Sequence, residues 1–120
     1  MEAAIRMEDV IHIGALEICA HDGLLVAGGR TVPLSVREFE LLVALARHSG
    51  RIVSREVLYE LVWGREIRPG DRSVDVYVRK LRVKLEQALP EFRFIHTHVG
   101  FGYRLEPELS PAFHTTDTRP

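Results

Sequence analysis

The sequence predicts an α+β fold: an N-terminal four-stranded antiparallel sheet, three helices, and a C-terminal β-hairpin. Three observations lead there. Short β-favouring runs alternate with glycine turns from Val10 to Val32, apolar residues recur at helical spacing from Ser35 onward, and after Pro90 the period falls to two. With 120 residues, 46% of them apolar, the chain is sized for one domain with a real core. The longest apolar run, Leu41 to Ala46, is far shorter than a membrane-spanning helix requires. Residues 1–10 lack the apolar stretch of a signal peptide, and the single Cys19 offers no intramolecular disulfide, so the expected setting is a reducing cytoplasm.

Residues 1–9 mix small, charged and methionine side chains without alternation and are expected to form a linker or loose N-terminus. Val10 to Ile13, Leu16 to Ile18, Leu24 to Val26 and Arg30 to Val32 are the four strands. Gly28-Gly29 is the firmest turn among them, because a tight hairpin needs positive φ and glycine adopts it without steric penalty. A first helix opens at Ser35, which forms a capping box with Glu38, while Leu34 is placed to staple onto Phe39. Phe39, Leu42, Leu45 and Ala46 are its expected buried stripe, and Gly50 its C-terminal cap. Arg51 to Val53 reads as a short link or one strand. Ser54 caps a second helix with Val57, Leu58, Leu61 and Val62 inward, ending at Trp63-Gly64. A loop containing Pro69 and Gly70 follows, and Asp71 or Ser73 caps a third helix over residues 72–88. Phe92 to Val99 and Tyr103 to Leu105 flank Gly100 and Gly102 as a hairpin, the wing, over residues 93–105. Residues 106–120, with three prolines and a Thr-rich stretch, are expected to be a flexible tail, leaving 10–105 as the folded domain.

The third helix is the most informative segment. At about 100° per residue, Val74, Val78, Leu81 and Leu85 share one side, while Arg72, Val76, Arg79, Lys80 and Val83 point the other way. Net charge is only −1, yet residues 72–84 hold five basic side chains (Arg72, Arg79, Lys80, Arg82, Lys84) against Asp75 alone. Acid lies elsewhere, at Glu2, Glu8, Asp9, Glu56, Glu60, Glu106 and Glu108, so one face can meet a polyanion while the others stay neutral or acidic. Cations around small apolar groups suit the major groove, where guanidinium groups take phosphates and guanine edges and methyl groups meet thymine. An ordinary solvated helix explains the cations equally well, but has little use for an exposed Val76 and Val83.

A helix, a loop, a basic helix and a wing make a winged helix-turn-helix, and on these residues the chain resembles the C-terminal effector domain of OmpR/PhoB-type response regulators. Leu34 to Leu42 is similar to the family's first helix, Val57 to Gly64 to its second, Asp71 to Leu85 to its recognition helix, and Thr97 to Tyr103 to its wing. The resemblance spans about Val10 to Leu105. It implies sequence-specific double-stranded DNA binding, with the third helix in the major groove and the wing on the backbone or minor groove. By position it implies phosphate contacts at Arg72, Ser73, Tyr77, Arg82, Thr97 and Tyr103, and base-proximal places for Val76, Arg79 and Lys80. Trp63 matches a position that packs and can touch the backbone, and Arg104 is a further candidate on the wing. The loop from Gly64 to Asp71, with Arg65, Glu66 and Arg68, corresponds to the segment through which some members contact RNA polymerase. Val99 stands where family wings often carry Arg. The resemblance further implies tandem half-sites on DNA and an upstream regulatory domain that these 120 residues do not contain.

Other chemistries find less support. His96 and His98 lie on one face of a strand but have no third ligand in view, so they are expected as surface residues of the wing and not as a metal site. Gly100 and Gly102 lack the strand-to-helix context of a phosphate loop, and neither Cys19 nor any serine stands in a nucleophile context, so no cofactor and no catalysis are expected. The rival function is a winged helix whose basic face docks an acidic protein, such as part of the transcription machinery.

Overall fold

The computed structural model describes residues 10–111. The linker expected at residues 1–9 and most of the expected tail, residues 112–120, lie outside the described residues. Strands β1 (Val10–Ile13), β2 (Leu16–Cys19), β3 (Leu24–Ala27) and β4 (Arg30–Thr31) form an antiparallel sheet in chain order, as the sequence predicts. Gly28 and Gly29 both take positive φ, 58° and 83°, which gives the two-residue turn that sets Ala27 opposite Arg30. Alternation then places Ile13, Leu16, Ile18, Leu25 and Ala27 in the core, while His12 and Glu17 pair on the outer face.

Helix α1 (Val36–Arg47) starts as the capping box requires: Ser35 Oγ accepts from the Glu38 amide at 3.2 Å, and Glu38 Oε1 accepts from the Ser35 amide at 2.8 Å. Leu34 and Phe39 are both half-buried against the core; Leu41 and Ala44 join Leu42, Leu45 and Ala46 in the stripe and leave Phe39 at its edge. The C-cap is His48 instead of Gly50. Gly50, at φ +80°, donates its amide to the Leu105 carbonyl and so ties the end of α1 to the wing. Helix α2 (Arg55–Trp63) is capped by Ser54 and stopped by left-handed Gly64, as expected, but its buried stripe is turned by about one residue. Leu58, Tyr59 and Val62 face inward, whereas Val57 and Leu61 are exposed. The reason is aromatic: Tyr59 goes inside, where its ring stacks on Trp63 with centroids 4.8 Å apart.

Helix α3 (Ser73–Ala88) buries Val74, Val78, Leu81 and Leu85 as predicted. Arg72 is its N-cap residue without a side-chain bond, and Asp71 does the capping, accepting from the Ser73 amide at 2.8 Å. Behind α3 stands a second sheet in the order β5-β7-β6, built from β5 (Ile52–Val53), β6 (Phe92–His98) and β7 (Gly102–Leu109). The hairpin is therefore three-stranded next to its turn, where β5 pairs with Tyr103 and Arg104. It also runs past the boundary expected at residue 105: β7 continues to Leu109, which pairs with Phe92. Pro107 had marked the end of order, but two residues of β7, Glu106 and Pro107, oppose Phe94 where the register shifts between Arg93 and Ile95. A bulge is a place where a strand accepts proline.

Glu38 fixes α3 to this frame. Its carboxylate is only 3% exposed and accepts from Lys84 Nζ at 2.7 Å while closing the α1 cap. Burial pushes the Glu38 carboxyl up, but hydrogen bonds from Lys84 and Ser35, with the Lys84 charge, more than offset it and hold it below the ordinary glutamate value. Lys84, counted with the basic stripe, thus has a partner inside the molecule. Glu38→Ala is expected to lower unfolding free energy by about 2–4 kcal/mol at neutral pH, read by urea denaturation. A carboxyl held low in the fold stabilises above its unfolded value and loses that contribution as pH falls through the folded one, so the gap between wild type and variant should close in acid. A gap that stayed constant down to about pH 3 would contradict this role.

Candidate nucleic-acid interface

The outer face of α3 presents Arg72, Val76, Arg79, Lys80 and Val83 to solvent, with Val76 and Val83 left 46% and 48% exposed. Burial of the opposite stripe forces this arrangement. Among the described residues Arg79 has neither an ion pair nor a hydrogen bond, and Lys80 lies over the Tyr77 ring at 4.9 Å. Tyr77 meets Trp63 edge-on at 5.7 Å, and Arg37 covers the Trp63 ring at 5.2 Å while donating to the Val62 carbonyl. Tyr77 and Trp63 are both half-buried, so these two predicted site residues wall one flank of the helix.

On the other flank α3 meets the wing. Arg82 Nη2 donates to Thr97 Oγ1 at 2.9 Å and brings two predicted site residues together. Two turns toward the N-terminus, Asp75 gathers three elements: it accepts from the Tyr103 hydroxyl of β7, lies 3.0 Å from Arg55 of α2, and lies 3.6 Å from the largely exposed Arg72. A cleft of about 460 Å³ opens here, lined by Arg55, Arg72, Asp75, Thr97, Tyr103 and the wing turn. Ser73, also half-buried, sits at the first turn, where its hydroxyl and then its amide hold the Asp71 carboxyl below the usual aspartate range.

Two predicted wing contacts are corrected. Tyr103 is 8% exposed with its hydroxyl on Asp75, so it positions the wing and is not free to take a phosphate. Arg104, the next residue of the strand, points to the opposite face and meets Glu106, Glu108 and His98 instead. Strand parity explains both: Thr97 pairs with Tyr103 on the α3 side, His96 with Arg104 on the far side. His96 and His98 share that far face, where His96 Nε2 lies 2.8 Å from the Glu106 carbonyl oxygen. Among the described residues no three His, Cys, Asp or Glu side chains gather as metal ligands.

In the loop between α2 and α3, Arg65, Glu66 and Arg68 are exposed, with Arg65 over the Tyr59 ring at 5.3 Å and Ile67 tucked against the core. Sequence reasoning missed Arg55 and Asp75 as members of the site. A lone acid inside a basic helix was the available signal for Asp75; nothing local marks Arg55.

A basic helix packed by one face, flanked by an aromatic wall and a hairpin, defines a winged helix-turn-helix. Comparison with known proteins agrees. The family described as "Transcriptional regulatory protein, C terminal" matches residues 29–105, and the chain belongs to it. It is 37% identical over 101 residues to the alkaline phosphatase synthesis transcriptional regulatory protein PhoP of Bacillus subtilis, covering 84% of this chain and 42% of that protein. Its fold is similar to the RstA DNA-binding domain of Klebsiella pneumoniae solved in complex with the RstA box, with TM-score 0.74, 35% identity, and coverage of 82% of this chain and 98% of that one. The DNA-binding domain of CpxR from E. coli is likewise similar, with TM-score 0.74, 32% identity, and coverage of 81% and 95%. The chain spans 42–49% of the length of the first curated relatives it matches.

Tyr103→Phe is expected to remove one charge-assisted hydrogen bond and destabilise the domain by about 1.5–3 kcal/mol. Burial first, then the hydrogen bond and charge of Asp75, push the Tyr103 phenol up to about 12. A raised phenol stabilises fully below the ordinary tyrosine value and loses its contribution as pH rises through the folded one. The stability gap between wild type and Tyr103→Phe should therefore be flat across neutral pH and narrow only in strong alkali; narrowing near neutrality would contradict the assignment.

Proposed function

We propose that this chain is the sequence-specific double-stranded DNA-binding domain of a transcriptional regulator, with α3 in the major groove and the wing against the backbone. The observation that carries this reading is the outer face of α3, where Arg79 and Lys80 stand beside two half-exposed valines. Cations that lack an internal carboxylate partner are available to phosphates and base edges, and the valines to thymine methyls. Arg79 and Lys80 read bases together with Val76 and Val83. Arg72, Ser73, Tyr77, Trp63, Arg82 and Thr97 hold phosphates along the two walls of the groove. Tandem half-sites about one helical turn apart would seat two copies on one DNA face. The loop carrying Arg65, Glu66 and Arg68 is proposed to meet RNA polymerase, and an upstream regulatory domain to set when this happens, in the cytoplasm.

The rival, docking of an acidic protein, shares the electrostatics but not the valines. Unrelated duplex DNA should compete measurably with any such partner if the face is a groove reader.

Arg79→Ala should weaken binding to a preferred site, selected from a random pool, by about 1–3 kcal/mol and binding to random duplexes far less. Arg72→Ala should weaken all duplexes alike and reduce the slope of log affinity against log salt by about 0.9. Equal losses for Arg79→Ala on both kinds of DNA would remove it from base reading, and an unchanged slope would remove Arg72 from the phosphates.

A further inference from the structure

Arg55 stands where a helix tolerates a cation least. It is the first residue of α2, at the end where the free amides carry partial positive charge. Its side chain leaves that turn and crosses to α3, where Nη2 lies 3.0 Å from Asp75 Oδ2 and donates to the Asp71 carbonyl at 3.4 Å. Arg55 Nε is buried and, among the described residues, has no hydrogen-bond partner. A guanidinium that gives up water at one nitrogen without replacing it is held in place at a cost. Its position is therefore better explained by what it does to Asp75 than by its own contribution to stability.

Asp75 has two cations beside it, and they are unequal. Oδ1 accepts from the Tyr103 hydroxyl, while Oδ2 faces both Arg55 and Arg72. Arg55 is within hydrogen-bond distance; Arg72 Nε, at 3.6 Å, is beyond it. The Arg72 side chain is 72% exposed against 34% for Arg55, although both line the same cleft beside the wing turn. Arg55 thus meets the carboxylate from within, and Arg72 remains on the open side.

We infer that Arg55 is a positioning residue for Arg72: by satisfying Asp75 from the α2 side, it keeps the other cation beside that carboxylate available to a DNA phosphate. This rests on the proposed reading of Arg72 as a phosphate contact. Arg72 and Asp75 are three residues apart at the start of α3, a spacing at which helix side chains meet. Without Arg55 the carboxylate would keep Arg72 as its cationic partner, and that pair would close. Arg72 would then be neutralised within the molecule, as Lys84 is by Glu38. The two arginines are coupled in this way although only one of them touches DNA.

The test is a cycle of variants read by salt dependence on one selected and one random duplex. Arg55→Met keeps the aliphatic stem and drops the charge. It should weaken both duplexes alike and reduce the slope of log affinity against log salt by about 0.9, as Arg72→Ala does. Adding Arg72→Ala to Arg55→Met should reduce the slope no further. Combining Arg55→Met with Asp75→Asn should restore the wild-type slope, because the amide oxygen still accepts from Tyr103 but no longer holds Arg72. A purely structural role for Arg55 would not be rescued by removing its partner's charge. A wild-type slope in Arg55→Met, a second drop on adding Arg72→Ala, or no recovery in the combination with Asp75→Asn would each overturn the inference. A further measurement needs no variant: as duplex is added to the wild-type chain, the side-chain Nε–H resonance of Arg72 should shift and that of Arg55 should stay. An Arg55 resonance that shifts as far as Arg72 would put Arg55 itself on the DNA and overturn the inference as well. Arg72→Ala alone separates the two readings. If it reduces the slope and Arg55→Met does not, only the role of Arg55 falls; if it leaves the slope unchanged, the phosphate reading of Arg72 fails and this inference falls with it.

Discussion

The carboxylate of Asp75 is the constraint on which the interface depends. It sits in the first turn of α3 and is met by Arg55 from α2 and by the Tyr103 hydroxyl from β7, so a single side chain sets the angle between the two helices and the distance to the wing. The partial positive charge at a helix N-terminus favours an acid there, and Arg72 beside it adds a second cationic contact. Without Asp75, Arg55 and Arg72 would face each other across the cleft, and Tyr103 would lose its acceptor. A group that sequence alone presents as an exception in a basic helix is the one that holds the basic helix in place.

A second pin lies at the opposite end of the same helix. Glu38 closes the α1 cap and accepts from Lys84, so the helix that presents the basic face is fixed to the rest of the domain toward both ends by carboxylates. Desolvation of both charges offsets much of a buried pair's attraction, which makes it a poor source of net stability, while the uncompensated charge left when one partner is removed makes the pairing costly to break. Position is what a surface that must match a groove requires. Lys84 and Arg104 show the corollary: basic residues next to the site are neutralised within the molecule, which leaves Arg79, Lys80 and Arg82, with the largely exposed Arg72 beside Asp75, as the charge this face offers outward.

What could be read in advance follows the range of the interactions. The α1 capping box, the Gly28-Gly29 turn and the buried stripe of α3 are local, set by residues three to eleven positions apart, and all three match the structure. β5 is two residues long and exists because Ile52 and Val53 pair with Arg104 and Tyr103, about fifty positions away, so the local pattern left a short link and one strand both open. In α2 the stripe could begin at Val57 or at Leu58, since apolar residues occupy both faces; stacking of Tyr59 on Trp63 decides it, and that choice belongs to packing. Pro107 argued for an end to order because proline cannot donate in a ladder, whereas a bulge accommodates it. Tyr103 and Arg104 are different. Two adjacent strand residues cannot both face one ligand, so period-two alternation alone excluded assigning both to the backbone of DNA. Which of them faced α3 needed the register with Thr97.

The central claim, that the surface formed by the outer face of α3 and the wing turn is the one that meets DNA, is tested most directly by following backbone amide resonances while a selected duplex is titrated in. The account predicts shifts concentrated on residues 72–83 and 97–103, with the outer face of the N-terminal sheet around His12 and Glu17 unchanged. Shifts centred on that sheet or on α1, with residues 76–83 undisturbed, would contradict it.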